Sequence, residues 1–255
     1  MNIVEQTPTP EAPWRRKAVI GNATLYCADS LELLRAGVFG KIGAIVSDPP
    51  YGIGYQHGGA RNKTGVGRTI GGRHLPSKVD RIVGDDAPFD PTIWIESAPR
   101  SDEKKYSGYG RARILLWGAD NFMQHLPSGG TMLAWDKHVG RGPNDSFADC
   151  EWAWCGVDAK REVFRHLWKG AVTRKTGEDS MGGHFRRHHV SQKPVELMRW
   201  CIDKVRPLAG LPVLAPYMGS GTTGVAAMTF GLPFIGCEID PDHFDIAVKR
   251  LQALQ

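Results

Sequence analysis

Two stretches of this chain carry residue types and spacings that could do chemistry. The first is "SDPPYGIGY", beginning at Ser47. Asp48 closes the apolar run "GAIV", so its carboxylate would sit at the C-terminal end of a buried strand, where open α/β sheets bind ligands. Pro49 and Pro50 fix the backbone and remove two N–H donors, leaving carbonyl acceptors with little local freedom. Tyr51 adds a flat aromatic face. Asp48, Pro49, Pro50 and Tyr51 together suit a planar ring bearing an exocyclic NH2 group: two acceptors for the amino hydrogens and a lid for the ring. The plainer alternative is a Pro-Pro turn that ends a strand, with Asp48 capping something nearby.

The second stretch is "VLAPYMGSGTTGVAA", from Val213 to Ala227. Gly219, Gly221 and Gly224 form G-x-G-x-x-G between a strand-like run and a helical one. Glycines let the backbone turn sharply and let a nucleotide-like ligand approach the helix N-terminus. A second apolar run, "PFIGCEID", reaches Glu238 nineteen residues beyond Gly219, where a carboxylate can accept hydrogen bonds from ribose hydroxyls. A glycine turn used only for close helix–strand packing is the structural alternative.

These motifs need a scaffold, and the rest of the sequence describes one. "ATLYCA", "GAIVSD", "RILLWGA", "TMLAWD", "LPVLAPY" and "PFIGCEID" are apolar runs of strand length. "DSLELLRAGVFG", "KPVELMRWCIDKVRP", "TTGVAAMTFG" and "DHFDIAVKRLQAL" have helical spacing, with Asp29 placed to cap the first and Gly37 to end it. The alternation predicts an α/β domain with a mostly parallel, doubly wound sheet covered on both faces. With room for one helix after Glu238 in this sequence, the other strands are expected from upstream, which predicts a permuted order with the glycine loop in the last part.

At 255 residues the chain fits one domain, read as 15–255 after a loose, proline- and threonine-containing tail at 1–14. Within it, 55–83 reads as a mobile, glycine-rich basic insertion, 139–188 as a target-recognition region, and 189–255 as the cofactor-binding half. The net charge of +5 permits a polyanionic partner without requiring one. No apolar run has membrane-spanning length, and the first residues lack the apolar core of a secretory signal. The five cysteines (Cys27, Cys150, Cys155, Cys201, Cys237) show no C-x-x-C spacing and read as buried thiols of a reducing cytoplasm rather than metal ligands.

The segments "SDPPYGIGY", "WGADNF", "AWDKHVG", "HVSQKPVELMRWCI", "GSGTTGVAA" and "FIGCEIDPDHFDIA", in this order, resemble the amino-methylating DNA methyltransferases that use S-adenosylmethionine. The resemblance is to the permuted β group, with the DPPY motif first and the cofactor loop last. It runs from about Ala23 to Leu254, and the compact style is similar to phage and prophage members. It implies a Rossmann-like methyltransferase sheet, double-stranded DNA as partner, and a homodimer as one possible assembly. Asp48 and the Pro49 carbonyl would hold the target amino group, and Tyr51 would stack on the flipped base. Asp29 matches an acidic residue near the catalytic face, beside its reading as a helix cap. Ser191 and Lys193 match the segment over the methionine end of the cofactor, with Lys193 pairing with the cofactor carboxylate. Gly219, Ser220, Gly221 and Thr222 match the cofactor loop, and Glu238 with Asp240 the ribose site.

Asp before Pro-Pro leans toward adenine N6 as target, with cytosine N4 as the alternative. Methylation at cytosine C5 would need a cysteine nucleophile, usually after proline, and no cysteine here follows one. Candidate phosphate contacts are Arg61, Lys63, Arg68, Arg73, Lys78 and Arg81 in the basic insertion, then Arg186 and Arg187 in "HFRRHHV". The family pattern Asp-Pro-Phe-x-Gly-Ser-Gly is met here by Ala215 and Tyr217 in place of Asp and Phe. Loss of that carboxylate keeps open a catalytically impaired binding protein. A dehydrogenase with the same glycine loop would leave "DPPYGIGY" and "QKP" unexplained.

Overall fold

A computed structural model describes residues 4–6, 8–54, 56–57, 69–70, 73–74, 80–100, 111–139, 148–157, 160–169, 172–173 and 192–255. Ten strands form one sheet: β1 (Val4–Gln6), β2 (Arg16–Ile20), β3 (Ala23–Cys27), β4 (Ala44–Ser47), β5 (Arg111–Trp117), β6 (Thr131–Asp136), β7 (Cys150–Val157), β8 (Val163–Arg165), β9 (Val213–Ala215) and β10 (Phe234–Glu238). Their order across the sheet is β1-β2-β3-β10-β9-β4-β5-β7-β6-β8. The five central strands, β3, β10, β9, β4 and β5, run parallel. β2 joins β3, and β7 joins β5, in antiparallel fashion.

The central strands are apolar on both sides, as a sheet covered on both faces requires. In β4, Ala44 and Val46 enter one core and Ile45 the other. In β5, Leu115 and Trp117 alternate in the same way with Ile114 and Leu116. The first core takes the apolar stripes of α3 (Val195–Val205), α4 (Thr222–Thr229) and α5 (Pro241–Gln252). The second takes Leu33 of α1 (Ser30–Arg35) and Trp94 and Ile95 of α2 (Thr92–Ser97). This is the doubly wound α/β architecture expected. Adjacent strands β9 and β4 lead into the glycine loop and into Asp48 respectively, so the two motifs leave the sheet side by side.

Two expectations change. Val4–Gln6 lies within the segment read as a loose tail, yet it pairs with β2 as an edge strand. A backbone ladder needs no apolar side chains, which is why composition gave no sign of it. Trp14 is half-buried, its ring 5.5 Å from that of Tyr26. The region read as target recognition, 139–188, contains β7, an interior strand of the sheet. Its alternation was available: Ala153 and Cys155 face one core and Trp154 the other. All five cysteines are free, four of them buried.

Candidate active site

One cleft of about 840 Å³ runs from the glycine loop to Asp48. Its two ends are fastened together by Ser47, the fully buried last residue of β4. The Tyr217 N–H donates to Ser47 Oγ at 3.2 Å, and Ser47 Oγ lies 3.4 Å from the Tyr217 carbonyl as donor. Tyr217 in turn stands in an aromatic wall: its hydroxyl accepts from Trp94 Nε1 at 3.1 Å, and the Phe89 and Trp94 rings meet it edge-on at 5.7 and 5.9 Å.

At the glycine-loop end, Gly219 (φ +53°) and Gly221 (φ +82°) adopt the left-handed conformation that favours glycine. Among the described residues a Cβ on Gly219 would meet nothing within 4 Å, and Gly219 lines the cleft. A Cβ on Gly221 would press on Ala247 of α5 at 2.9 Å. Glu238 stands at the end of β10 and accepts from the Gly219 N–H at 2.9 Å and the Asp240 N–H at 2.8 Å. Burial holds its carboxyl above the usual range, against these two N–H groups. Asp240 lines the cleft but also caps α5, accepting from the Asp242 and His243 N–H groups at 2.8 and 3.1 Å. Arg250 of α5 braces the loop from behind, donating to the Ser220 carbonyl (2.8 Å), Ser220 Oγ (3.0 Å) and Thr222 Oγ1 (3.0 Å). Asp29 caps α1 through the Leu31 N–H at 2.8 Å and lines the same cleft, so it serves both of its readings geometrically.

The other end is a cluster of charges. Lys193, its side chain 8% exposed, places Nζ 2.6 Å from Asp48 Oδ2, 3.0 Å from Glu151 Oε2 and 3.2 Å from the Tyr51 hydroxyl. Glu151 Oε1 accepts from Lys137 Nζ at 2.8 Å. The Tyr51 hydroxyl donates to Asp48 Oδ1 at 2.6 Å. Burial pushes the Asp48 carboxyl up, and the Lys193 ammonium pulls it partly back. Burial works against the Lys193 ammonium, but Asp48 and Glu151 together hold it firmly charged. Burial would likewise raise Glu151, but Lys193 and Lys137 bring it down to about 2.

The turn bearing Tyr51 is fixed by two further devices. Asp85, buried, accepts from the Gly52 N–H (2.7 Å) and the Ile53 N–H (3.3 Å). Gly118 (φ +76°) makes room for Tyr51, since a Cβ there would lie 2.1 Å from the ring. Pro49 and Pro50 line the cleft between these groups and the aromatic wall.

Most sequence-derived candidates therefore meet in one cavity: Asp29, Asp48, Pro49, Pro50, Tyr51, Lys193, Tyr217, Gly219, Ser220, Thr222, Glu238 and Asp240 line it, with Gly221 just behind the loop. Lys193 lines the cleft with its ammonium on Asp48 and Glu151. One candidate differs from expectation. Ala215 does not line the cleft: it is fully buried in the core between the sheet and α3–α4, because alternation along β9 turns it inward. Ser191, Arg61, Lys63, Arg68, Lys78, Arg186 and Arg187 lie outside the described residues, and Arg73 and Arg81 are placed only as backbone of two-residue ladders. Sequence reasoning passed over Ser47, Asp85, Gly118, Lys137, Glu151 and Arg250. Ser47, Gly118 and Lys137 lie inside quoted motifs, whereas the others gave no spacing signal.

Residues 134–249 match the family model N6_N4_Mtase, described as DNA methylase. The chain is 26% identical over 282 aligned residues to the type II methyltransferase M.Cfr9I of Citrobacter freundii, covering 91% of this chain and 89% of that protein. It is 24% identical to M.ScaI of Streptomyces caespitosus, covering 90% of this chain and 81% of that one. A shorter segment of 78 residues is 42% identical to M.HindIII of Haemophilus influenzae, covering 31% of this chain and 23% of the relative. Among solved structures, the M1.HpyAVI–SAM complex superposes with a TM-score of 0.47 at 19% identity, over 90% of this chain and 98% of that one. The residues present fit S-adenosylmethionine: a glycine loop lining the cleft, a carboxylate at the adjacent strand end and an aromatic wall between. The family match over part of the chain and the two long alignments support a DNA methyltransferase.

Proposed function

We propose that this chain methylates the N6 amino group of adenine in double-stranded DNA. The observation that carries the reading is the single cleft, in which the glycine loop and Glu238 share a cavity with Asp48, Pro49, Pro50 and Tyr51. Bound S-adenosylmethionine supplies a methyl group made electrophilic by its sulfonium. Glu238 is the ribose-holding acid, and Gly219 to Thr222 wrap the loop side. Phe89 and Tyr217, which line the cleft, offer apolar ring surface to an adenine, with Trp94 bracing Tyr217 from the core.

At the opposite end, Asp48 and the Pro49 carbonyl accept hydrogen bonds from the target NH2, while Tyr51 offers its ring to a base out of the stack. An aromatic amino nitrogen is a poor nucleophile because its lone pair is delocalised into the ring. Hydrogen bonds that favour a more tetrahedral nitrogen, together with fixed alignment, are what the protein contributes. Asp48 and the Pro49 carbonyl would hold the amino nitrogen in line with the methyl group that the bound donor would supply, and the proton shed by the nitrogen after transfer would pass to water. Asp48, with Lys193 at 2.6 Å, is an acceptor held by its cation rather than a strong base. The buried position of Ala215 argues against reading it as a lost cofactor anchor.

Arg61, Lys63, Arg68, Arg73, Lys78, Arg81, Arg186 and Arg187 are proposed to contact phosphates, which would make binding salt-dependent. The test is transfer from methyl-labelled S-adenosylmethionine to mixed-sequence duplex DNA, followed by digestion. Labelled N6-methyladenine is expected. N4-methylcytosine would move the target to cytosine, and no label despite cofactor binding would overturn the activity.

A further inference from the structure

The charge cluster extends beyond the residues that the proposed reaction uses. Asp48, Lys193, Glu151 and Lys137 alternate in sign and are joined by contacts of 2.6, 3.0 and 2.8 Å. They come from four separate places: the turn after β4, the segment before α3, the second residue of β7 and the residue just after β6. Glu151 stands opposite Trp135 in the β6–β7 ladder, which sets it two residues from Lys137 and fixes that pair by sheet register. Both line the cleft, and both are far less exposed than surface lysines and glutamates usually are. No step described above needs either residue. A buried carboxylate facing a second buried carboxylate across a shared lysine is costly unless every charge is balanced, and the four charges sum to zero.

We propose that Glu151 and Lys137 are positioning residues that set the charge state of Asp48 through Lys193. This rests on the proposed role of Asp48 as acceptor for the target amino group. Glu151 keeps Lys193 from neutralising Asp48 completely, so the carboxylate remains a good acceptor. Lys137 limits how far Glu151 does so. Other titratable groups near Asp48 include Tyr51 on its own turn, Cys201 of α3, Asp120, which acts on Tyr51 from the segment after β5, and Asp85, which holds the Gly52 and Ile53 N–H groups of the same turn. Burial pushes the Tyr51 and Cys201 protons up, so both groups stay neutral while Asp48 titrates.

The two residues then act in opposite directions. Removing the Glu151 charge takes a like charge away from Asp48 and lowers its midpoint. Removing the Lys137 charge takes a cation away and raises it. The experiment is ¹³C NMR titration of the full chain carrying carboxyl-labelled aspartate, with the Asp48 signal assigned by its loss in Asp48→Asn. The Asp48 midpoint should fall by about 1 pH unit in Glu151→Gln and rise by about half a unit in Lys137→Met. Glu151→Asp and Lys137→Arg, which keep the charges, should return it toward wild type. Midpoints unmoved in both neutral variants, or moved the same way, would overturn the proposal. If the protein transfers methyl groups, the acidic limb of its rate profile should move with the NMR midpoints. Because the titration needs no turnover, failure of the methyltransferase reading would show separately, as absent label in DNA.

Discussion

At the glycine-loop end of the cleft the holding is done largely by backbone: the Gly219 and Asp240 amides on Glu238, and the Ser220 carbonyl under Arg250. At the Asp48 end it is done by side chains, four alternating charges from four separate segments plus the Tyr51 hydroxyl. A backbone cradle is a property of a loop sequence, and it depends on glycines that can take positive φ. A side-chain cluster is a property of the whole fold, because each member satisfies charges brought in by the others. The first end should therefore fail in cofactor affinity when altered. The second should fail in stability and in transfer.

The largest effect should come from Lys193→Met, which leaves Asp48 and Glu151 facing each other without their shared cation. Breaking a buried ion cluster on one side costs about 3–5 kcal/mol. Urea denaturation would measure it, and a loss below about 1 kcal/mol would mean that water already balances the charges. Next is Ala215→Asp, which restores the residue expected at the end of the glycine-loop strand. Because Ala215 lies in the core, the carboxylate should destabilise the fold by about 3 kcal/mol without improving cofactor binding. Tighter binding of S-adenosylmethionine by that variant, measured by calorimetry, would place the carboxylate in the cleft after all. Smaller again is Arg250→Ala, which removes three hydrogen bonds from the loop. Cofactor affinity should drop about 10-fold, with little change in transfer from the saturated complex. A fall in transfer alone would blur the division between the two ends.

The same contrast explains what could be read in advance. G-x-G-x-x-G, the acid nineteen residues on, and "DPPY" at a strand end are local patterns, and the structure brings them into one cleft. The alternation of apolar runs gave the α/β architecture, although β7 was hidden inside a segment rich in polar and aromatic residues. Lys193 was legible as a site residue but not as the partner of Asp48, because 145 positions separate them and only the sheet order makes them neighbours. Glu151 lay in no quoted motif and Lys137 lay in "AWDKHVG" without a role; their meaning is a matter of register between β6 and β7. The doubt attached to Ala215 came from comparing residue types without the side-chain direction that alternation along β9 imposes.

The division between the two ends is tested most directly by Asp48→Asn, with S-adenosylmethionine affinity and single-turnover methyl transfer measured on the same preparation. Asparagine keeps the size and one acceptor oxygen but removes the charge that Lys193 balances. Transfer to DNA should fall by about 10²–10³-fold while the cofactor Kd stays within about 3-fold. Unchanged transfer, or a loss of affinity as large as the loss of rate, would contradict the assignment of Asp48 to the target end of the cleft.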